Sequence, residues 1–447
     1  MKPVFKGERY GVVGLGRNGA PVAAALAAMG AEVAVWDDRE EVRTGVPYQL
    51  LGPDFNLRGY AGLVLSPGIA HALPRPHPAA LAAQEARVPI LSDAELLHVA
   101  TRRAGSKARF VGVTGTNGKS TTTALLHHML VSAGWDSAAG GNLGTPALAL
   151  PLLGDGGVYV LEMSSYMLER LQSLRFDAAC LLNLSPDHLD RHGDMDGYTA
   201  AKRHIFDRQT EADTAVLGDD DPETAALGEG IAGRVVRVSG DHPAGVWCAD
   251  RILRDADGIL LPMAEAPALP GAHNAQNAAA AAALAMALGL DRGAVADGIR
   301  SFPGLPHRQQ RIASIGGTAW INDSKATNAD AAARALACYE RIIWIAGGQS
   351  KAGGIDSLRP LFPRIVHALL IGRDGPLLSG TLRAARVPFS LPRTLDAAVA
   401  SARSLSLRLS ADVVLLSPAC ASFDQFASFE ERGDRFAALV RAIPEPG

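Results

Sequence analysis

The chain has 447 residues, enough for about three domains of ordinary size, each with its own core. Nearly half of it is hydrophobic and its net charge is only −3, with no polybasic run, so nucleic acid and anionic surfaces are not the expected partners. The four cysteines (Cys180, Cys248, Cys338, Cys420) make no CxxC pair, and neither a signal-peptide pattern nor a bilayer-length apolar run is present, which predicts reduced thiols, a cytoplasmic address and no membrane span.

In chain order, short β-branched runs alternate with Ala/Leu-rich runs, the pattern of α/β layers, in three blocks. The first opens with a strand at Tyr10–Val13, turns through Gly14-Leu-Gly-Arg-Asn-Gly19 into a helix ending near Met29, and continues with a strand at Glu32–Trp36. It runs through Leu63-Val-Leu-Ser-Pro-Gly68 and closes near Leu97, with the polar stretch Arg102–Lys107 as a connection. The second block starts with a strand at Phe110–Val113, a Gly-rich loop and a helix to about Gly134. Strands at Val158–Leu161 and Ala178–Leu182 follow, and a helix at Asn277–Leu290 closes it. Pro303-Gly-Leu-Pro306 is a turn-prone linker. The third block has strands at Ala319–Ile321, Ile342–Ile345, Ala368–Ile371 and Val413–Leu416 with helices between. The expected domains are 1–98, 99–304 and 305–447.

The second block's loop carries the sharpest chemical signal. Thr114-Gly-Thr-Asn-Gly-Lys-Ser-Thr121 lies between strand and helix, where backbone N–H groups and the helix N-terminus attract phosphate. Lys119 suits the β/γ-phosphates and the Ser120 hydroxyl suits Mg²⁺. The match to the Walker pattern is imperfect, since Val113 holds the leading glycine position and Gly112 lies one residue early.

In the first block, Gly14-x-Gly16-x-x-Gly19 with Asp37 after the next strand has the form of a dinucleotide fingerprint, or of glycines needed only for tight packing. An NAD-dependent oxidoreductase would need no Gly-Lys-Ser-Thr loop, and two phosphate-type loops suggest two nucleotide-containing ligands. A slow nucleotide-hydrolysing switch is the non-metabolic alternative.

Glu162 sits where its strand runs out, the usual position of a carboxylate that shares Mg²⁺ with a loop serine. His188, beyond the next strand, reads as a metal ligand or a polar anchor. Lys202 lies in a helical stretch and reads as a solvated lysine. Asp323 follows a strand and suits a ribose or metal contact, and Lys325 suits a transferring phosphoryl group. Lys351 and Ser422 also lie in loops beyond strands and suit an anionic substrate such as an amino acid carboxylate. Cys420 has no partnering base.

Taken together, these segments resemble the Mur ligases. The shared motifs are Leu65-Ser-Pro-Gly68, Thr114–Thr121, Gly140-Gly-Asn-Leu-Gly144, Glu162-Met-Ser-Ser165, Asp187-His-Leu-Asp-Arg191, His273-Asn274 to Asn277, Gly304-Leu-Pro-His-Arg308, Asn322-Asp-Ser-Lys-Ala-Thr-Asn328 and Ser417-Pro-Ala-Cys-Ala-Ser422. The last two in one chain resemble the D-glutamate-adding branch, with other amide ligases of the superfamily, such as folylpolyglutamate synthase, as the nearer alternative. The resemblance implies three α/β domains: a Rossmann-like N-terminal domain, a central P-loop ATPase-like domain and a Rossmann-like C-terminal domain. It implies an ATP-dependent ligase of peptidoglycan precursor synthesis, acting as a monomer on UDP-N-acetylmuramoyl-L-alanine and D-glutamate through an acyl phosphate.

It further implies that Gly14, Leu15, Gly16, Asp37, Asp38, Arg39, Gly68, Asn142, Ser164 and His188 bind the UDP-linked substrate. Gly115, Thr116, Asn117, Gly118, Lys119, Ser120, Thr121, Asn277, Arg308 and Asp323 would bind ATP. Thr327, Lys351, Ser422, Phe423 and Phe429 would bind glutamate. Lys119, Glu162, His188, Lys202 and Lys325 would be catalytic, and Ser120, Glu162, His188 and a carbamylated Lys202 would hold Mg²⁺. Two departures stand out: Met167 where related sequences carry Gln, and Phe423 where Leu is usual.

Overall fold

The structure is a computed structural model that describes residues 2–142, 144–351 and 353–444. Leu143, inside one of the motifs above, lies outside the described residues. Three sheets organise the chain. The first contains β1 (Arg9–Val13), β2 (Glu32–Trp36), β3 (Gln49–Leu50), β4 (Gly62–Leu65) and β5 (Ile90–Leu91), all parallel, in the order β3-β2-β1-β4-β5. This is the strand order of a nucleotide-binding half, with its switch point between β1 and β4.

The second sheet holds β6 (Arg109–Thr114), β7 (Ser137–Gly141), β8 (Val158–Glu162), β9 (Ala178–Leu181), β10 (Thr214–Gly218), β11 (Arg234–Ser239), β12 (Val246–Ala249), β13 (Ile252–Asp255) and β14 (Gly258–Pro262). Its order is β14-β13-β12-β11-β10-β9-β6-β8-β7, parallel except for the antiparallel pairings β12–β13 and β13–β14. The third contains β15 (Gln310–Ile315), β16 (Thr318–Asn322), β17 (Ile342–Gly347), β18 (Ile365–Ile371), β19 (Phe389–Arg393) and β20 (Val413–Leu416) in the order β15-β16-β20-β17-β18-β19, with only β15 antiparallel to its neighbour.

Central strands of parallel sheets are covered on both faces and so read as unbroken apolar runs. In β17, Ile342, Trp344 and Ala346 enter one core while Ile343 and Ile345 enter the core on the opposite face. Val413 and Leu415 of β20 join the first of these cores, and Val414 and Leu416 join the second. The strand period of two thus builds both layers from one continuous run of large side chains.

The described residues divide into two compact units: the first holds residues 1–265 and 274–302, the second 266–273 and 303–447. The second unit therefore begins at the Pro303 linker but also includes a short earlier segment that sequence patterning did not mark. The connection expected at Arg102–Lys107 starts two residues later, because Asp93–Arg103 is one unbroken helix, and position 98 lies within that helix. The helix is stopped further on, where its last basic residues sit at its negative end and Gly105 follows with φ +87°. The helix expected from Asn277 begins instead at Ala272. Asn274, Gln276 and Asn277 are buried there, and Asn277 Nδ2 donates to Asn274 Oδ1 at 3.0 Å, so polar side chains extend this helix rather than preceding it. Strands β10 to β14 were not anticipated. β10 is a short, fully buried run, whereas β11 and β14 are partly exposed and carry a weak apolar signal.

Candidate functional site

The loops carrying the Gly14, Leu65, Thr114, Gly140, Glu162, His188, Asp323, Lys351 and Ser422 segments leave the carboxyl ends of parallel strands, the edge at which open α/β sheets bind ligands, whereas Arg308 follows a helix. In the first unit, loops after β1, β2, β4 and β7 enclose a cavity of about 490 Å³ lined by Gly14, Gly16, Asp37, Asp38, Arg39 and Asn142, among others. Gly14 has φ +87°, and a Cβ on Gly19 would collide with the Gly14 carbonyl, so both glycines are required by the turn itself. Ser66 Oγ donates to Gly14 O at 2.7 Å, joining the two turns.

Asp37 holds the loop mouth together. Its carboxylate accepts from Leu15 N at 2.7 Å, Arg39 N at 3.1 Å and Arg39 Nε at 3.1 Å. Burial works against its charge, but these donors outweigh that and keep its pKa below the usual carboxylate range. Asp38 accepts from Trp36 Nε1 at 3.0 Å and lies 3.2 Å from His77 Nε2. Gly68 is exposed in the turn beside the cavity, and Ser164 caps the short helix Ser165–Leu168 through Met167 N. Met167 is buried in the first unit's core, which suits a thioether better than an amide.

The phosphate-loop residues converge around Gly115. Lys119 Nζ donates to the carbonyls of Gly115 at 2.9 Å and Thr116 at 2.8 Å. Lys202 Nζ donates to the same Gly115 carbonyl at 2.8 Å and approaches Thr114 Oγ1 at 3.4 Å. The solvated reading of Lys202 is thus corrected, because only 2% of this residue is exposed. The physical reason is the helix Met195–Arg203, whose Tyr198 places its ring 4.8 Å from Lys202 Nζ and its hydroxyl 3.2 Å from Thr116 Oγ1. Burial, then the Lys119 charge, drives the Lys202 pKa well below the usual lysine value, against the pull of Asp187 and Glu162.

Gly118 starts the helix Lys119–Ser132 with φ +86°, and a Cβ there would strike Asn277 Oδ1, so Asn277 packs directly on the loop. Ser120 is buried at the same helix start, whereas Thr121 is half-buried. Glu162 is 2% exposed. Its Oε1 accepts from Asn142 Nδ2 at 2.7 Å, and its Oε2 is buried without a hydrogen-bond partner among the described residues. A buried carboxylate oxygen lacking a donor is costly, and a hard divalent cation would offset that cost. His188 is exposed, with φ +53°, 3.5 Å from Asp187 and 5.3 Å between its ring and that of Tyr166.

The second unit carries the other set. Asp323 is buried, accepting from Ser417 Oγ at 2.7 Å and Gln309 N at 3.2 Å. Burial pushes its pKa up to about 7, although those donors and the Arg308 charge pull the other way. Lys325 Nζ lies 4.0 Å over the Phe429 ring. Thr327 is half-buried, Lys351 is exposed and Ser422 is buried. Phe423 is 71% exposed. Burial lifts the Cys420 thiol to about 12, which leaves it protonated and unreactive.

Sequence reasoning missed three organisers. Asn183 accepts from Asn117 N at 2.8 Å and donates to Asn117 O at 3.2 Å, pinning the phosphate loop. Its position just beyond β9 was the available signal. Arg432, fully buried, donates to Ser324 Oγ at 2.9 Å, Ser324 O at 2.9 Å and Cys420 O at 3.1 Å, joining the Asp323 and Ser417 loops. The third is Arg170, buried beneath the Leu65–Ile69 turn.

Comparison with known proteins adds to this geometry. Residues 113–285 match the Mur ligase middle domain. UDP-N-acetylmuramoylalanine–D-glutamate ligase from Paramagnetospirillum magneticum is 48% identical, covering 100% of this chain and 99% of that protein. The enzyme of the same name from Rhodospirillum rubrum is 46% identical over 99% and 98%. Among solved structures, UDP-N-acetylmuramate-alanine ligase from Thermotoga maritima aligns with a TM-score of 0.61 at 20% identity, over 97% of this chain and 99% of that one. The MurF ligase of Thermotoga maritima, solved in complex with ADP, aligns with a TM-score of 0.55 at 17% identity, over 85% and 88%. These structures share the fold.

Proposed function

The chain belongs to the Mur ligases, in the UDP-N-acetylmuramoylalanine–D-glutamate ligase family, and on that premise we propose that it joins D-glutamate to UDP-N-acetylmuramoyl-L-alanine with cleavage of ATP, in peptidoglycan precursor synthesis. The observation that carries the reading is the juxtaposition of the Gly115–Thr121 loop with buried Lys202, in the unit that also holds the Glu162 oxygen left without a partner among the described residues. We assign the UDP-linked substrate to residues 1–98 with help from Asn142, Ser164 and His188, ATP to 99–304 with Arg308 and Asp323, and D-glutamate to 305–447. The expected site of action is the cytoplasm.

A carboxylate is a poor electrophile, so the L-alanyl carboxylate first attacks the γ-phosphorus of ATP, breaking its bond to the bridging oxygen and expelling ADP, and becomes an acyl phosphate. Lys119 and Lys325 offset charge on the transferring group. The D-glutamate amine, having given up a proton, then adds to the acyl carbon, and the tetrahedral adduct expels phosphate to leave the amide. His188 is a candidate to accept that proton. Lys325, Thr327, Lys351, Ser422, Phe423 and Phe429 are proposed to hold the incoming glutamate.

The orphaned Glu162 carboxylate oxygen suits Mg²⁺, which Ser120, Glu162, His188 and Lys202, the last as a carbamate, would hold. When bound, Mg²⁺ supplies charge neutralisation at the phosphates. The lowered pKa of Lys202 supports carbamylation, because a neutral amine adds to CO₂ and releases a proton to give an anionic carbamate. An ammonium there would instead repel the cation. The test is phosphate release with UDP-N-acetylmuramoyl-L-alanine, ATP and a panel of D- and L-amino acids. Release should require both acceptor and D-glutamate. Equal release with neither present would point to a hydrolytic switch.

A further inference from the structure

The turn from Leu65 to Ile69 borders the cavity; Ile69 N donates to Ser66 O at 2.9 Å to close it, and Ser66 N donates to Val13 O at 3.0 Å. Pro67 lacks an N–H and Gly68 lacks a side chain. The Leu65, Gly68 and Ile69 carbonyls are held from outside by two arginines. Arg170, buried, donates from Nη1 to Leu65 O at 2.7 Å and from Nη2 to Ile69 O at 2.8 Å. Arg191 donates from Nη1 to Gly68 O at 3.2 Å and from Nη2 to Ile69 O at 3.4 Å, with its guanidinium 4.4 Å over the Tyr166 ring.

The origin of these arginines gives the contact meaning. Arg170 lies on the segment that leaves β8 at Glu162, and Arg191 lies three residues beyond His188 on the segment that follows β9. The two segments that carry Glu162 and His188 therefore both reach back to one turn beside the cavity. Ser66 passes the restraint on to the glycine loop through its bond to Gly14 O. Asn142, which lines the cavity, is tied to Glu162 itself.

We propose that Arg170 and Arg191 are positioning residues that hold the Leu65–Ile69 turn, and with it the diphosphate end of the UDP-linked substrate, in register with Glu162 and His188. The inference rests on reading the cavity as the site of that substrate. A long substrate anchored at one end and activated at the other depends on this register, since a misplacement of about 1 Å can cost about a hundredfold in rate. Arginine suits the task because its planar fork spans two carbonyls at once, while a lysine ammonium offers a point charge.

The test compares Arg191→Met, Arg191→Lys, Arg170→Met and Arg170→Lys in the full chain. It measures UDP-N-acetylmuramoyl-L-alanine affinity by calorimetry and KM for each substrate. Arg191→Met should raise both the Kd and the KM for the UDP-linked substrate about tenfold and lower kcat severalfold, with the KM values for ATP and D-glutamate within about twofold of wild type. The lysine variants should recover part of the loss. Should Arg170→Met fail to fold, the half-buried Arg191 decides alone. Unchanged KM values with only a lower melting temperature would overturn the proposal, as would an equal loss for ATP. A wild-type protein that neither binds nor uses the UDP-linked substrate would sink the functional reading, and the clamp's role with it.

Discussion

Asp323 contributes a share of the stability that falls as pH rises, opposite in sign to the share from the buried His71 and His273, and Asp323→Asn should remove that falling share. Its carboxyl is buried and its pKa is raised from 3.8 to about 7 in the folded chain. Between those values the folded state keeps a proton that the unfolded state has released. The stability contributed by this group is therefore complete below about pH 4 and lost as pH climbs through 7. A rise of about three, at about 1.4 kcal/mol each, amounts to up to about 4 kcal/mol. The asparagine variant keeps an acceptor for Gln309 N, and its amide group can donate to Ser417 Oγ in place of the hydrogen bond that hydroxyl now donates to Asp323.

Urea denaturation from pH 4.5 to 8, followed by tryptophan fluorescence, measures the effect where it arises. Trp320 and Trp344 are fully buried in the same unit, and Trp344 Nε1 donates to Ser417 O at 2.8 Å. The variant should gain stability relative to wild type as pH rises, while losing activity if the ionised carboxylate serves ATP. Identical pH slopes in the two proteins would refute the reasoning.

Lys119→Ala should abolish ligation and leave calorimetric binding of the UDP-linked substrate intact; near-wild-type turnover at saturating ATP would remove Lys119 from the phosphate site. Lys202→Ala should lose most activity and regain part of it with acetate, in proportion to acetate concentration, and CO₂ depletion should slow the wild type. Full activity without added acid would exclude the carbamate. Lys351→Ala should mainly raise the KM for glutamate, and a defect confined to ATP affinity would remove Lys351 from the glutamate site.

What could be read from the chain was the set of loops at strand ends. A run such as Ile342-Ile-Trp-Ile-Ala346 fills both faces of a sheet, and the glycines that follow such strands are dictated by local backbone geometry. The environment of Lys202 was not legible. Tyr198-Thr-Ala-Ala-Lys has the look of an exposed helix end, and only contacts 87 residues away, at Gly115, put its amine inside. Arg170, Asn183 and Arg432 escaped for the same reason, since each acts through backbone carbonyls of remote loops that leave no pattern near the side chain. The added strands β12 to β14 carry alternating, half-exposed residues, which patterning alone does not separate from surface loops.

The central claim is that the alanyl carboxylate is activated by direct attack on the γ-phosphorus. It is tested by supplying UDP-N-acetylmuramoyl-L-alanine with ¹⁸O in that carboxylate, together with ATP and D-glutamate, and weighing the released phosphate by mass spectrometry. The carboxylate oxygen that bonds to phosphorus must leave with it when the amine displaces phosphate. Each amide formed should therefore yield one phosphate carrying a single oxygen from the carboxylate. Amide formation with unlabelled phosphate would contradict the account.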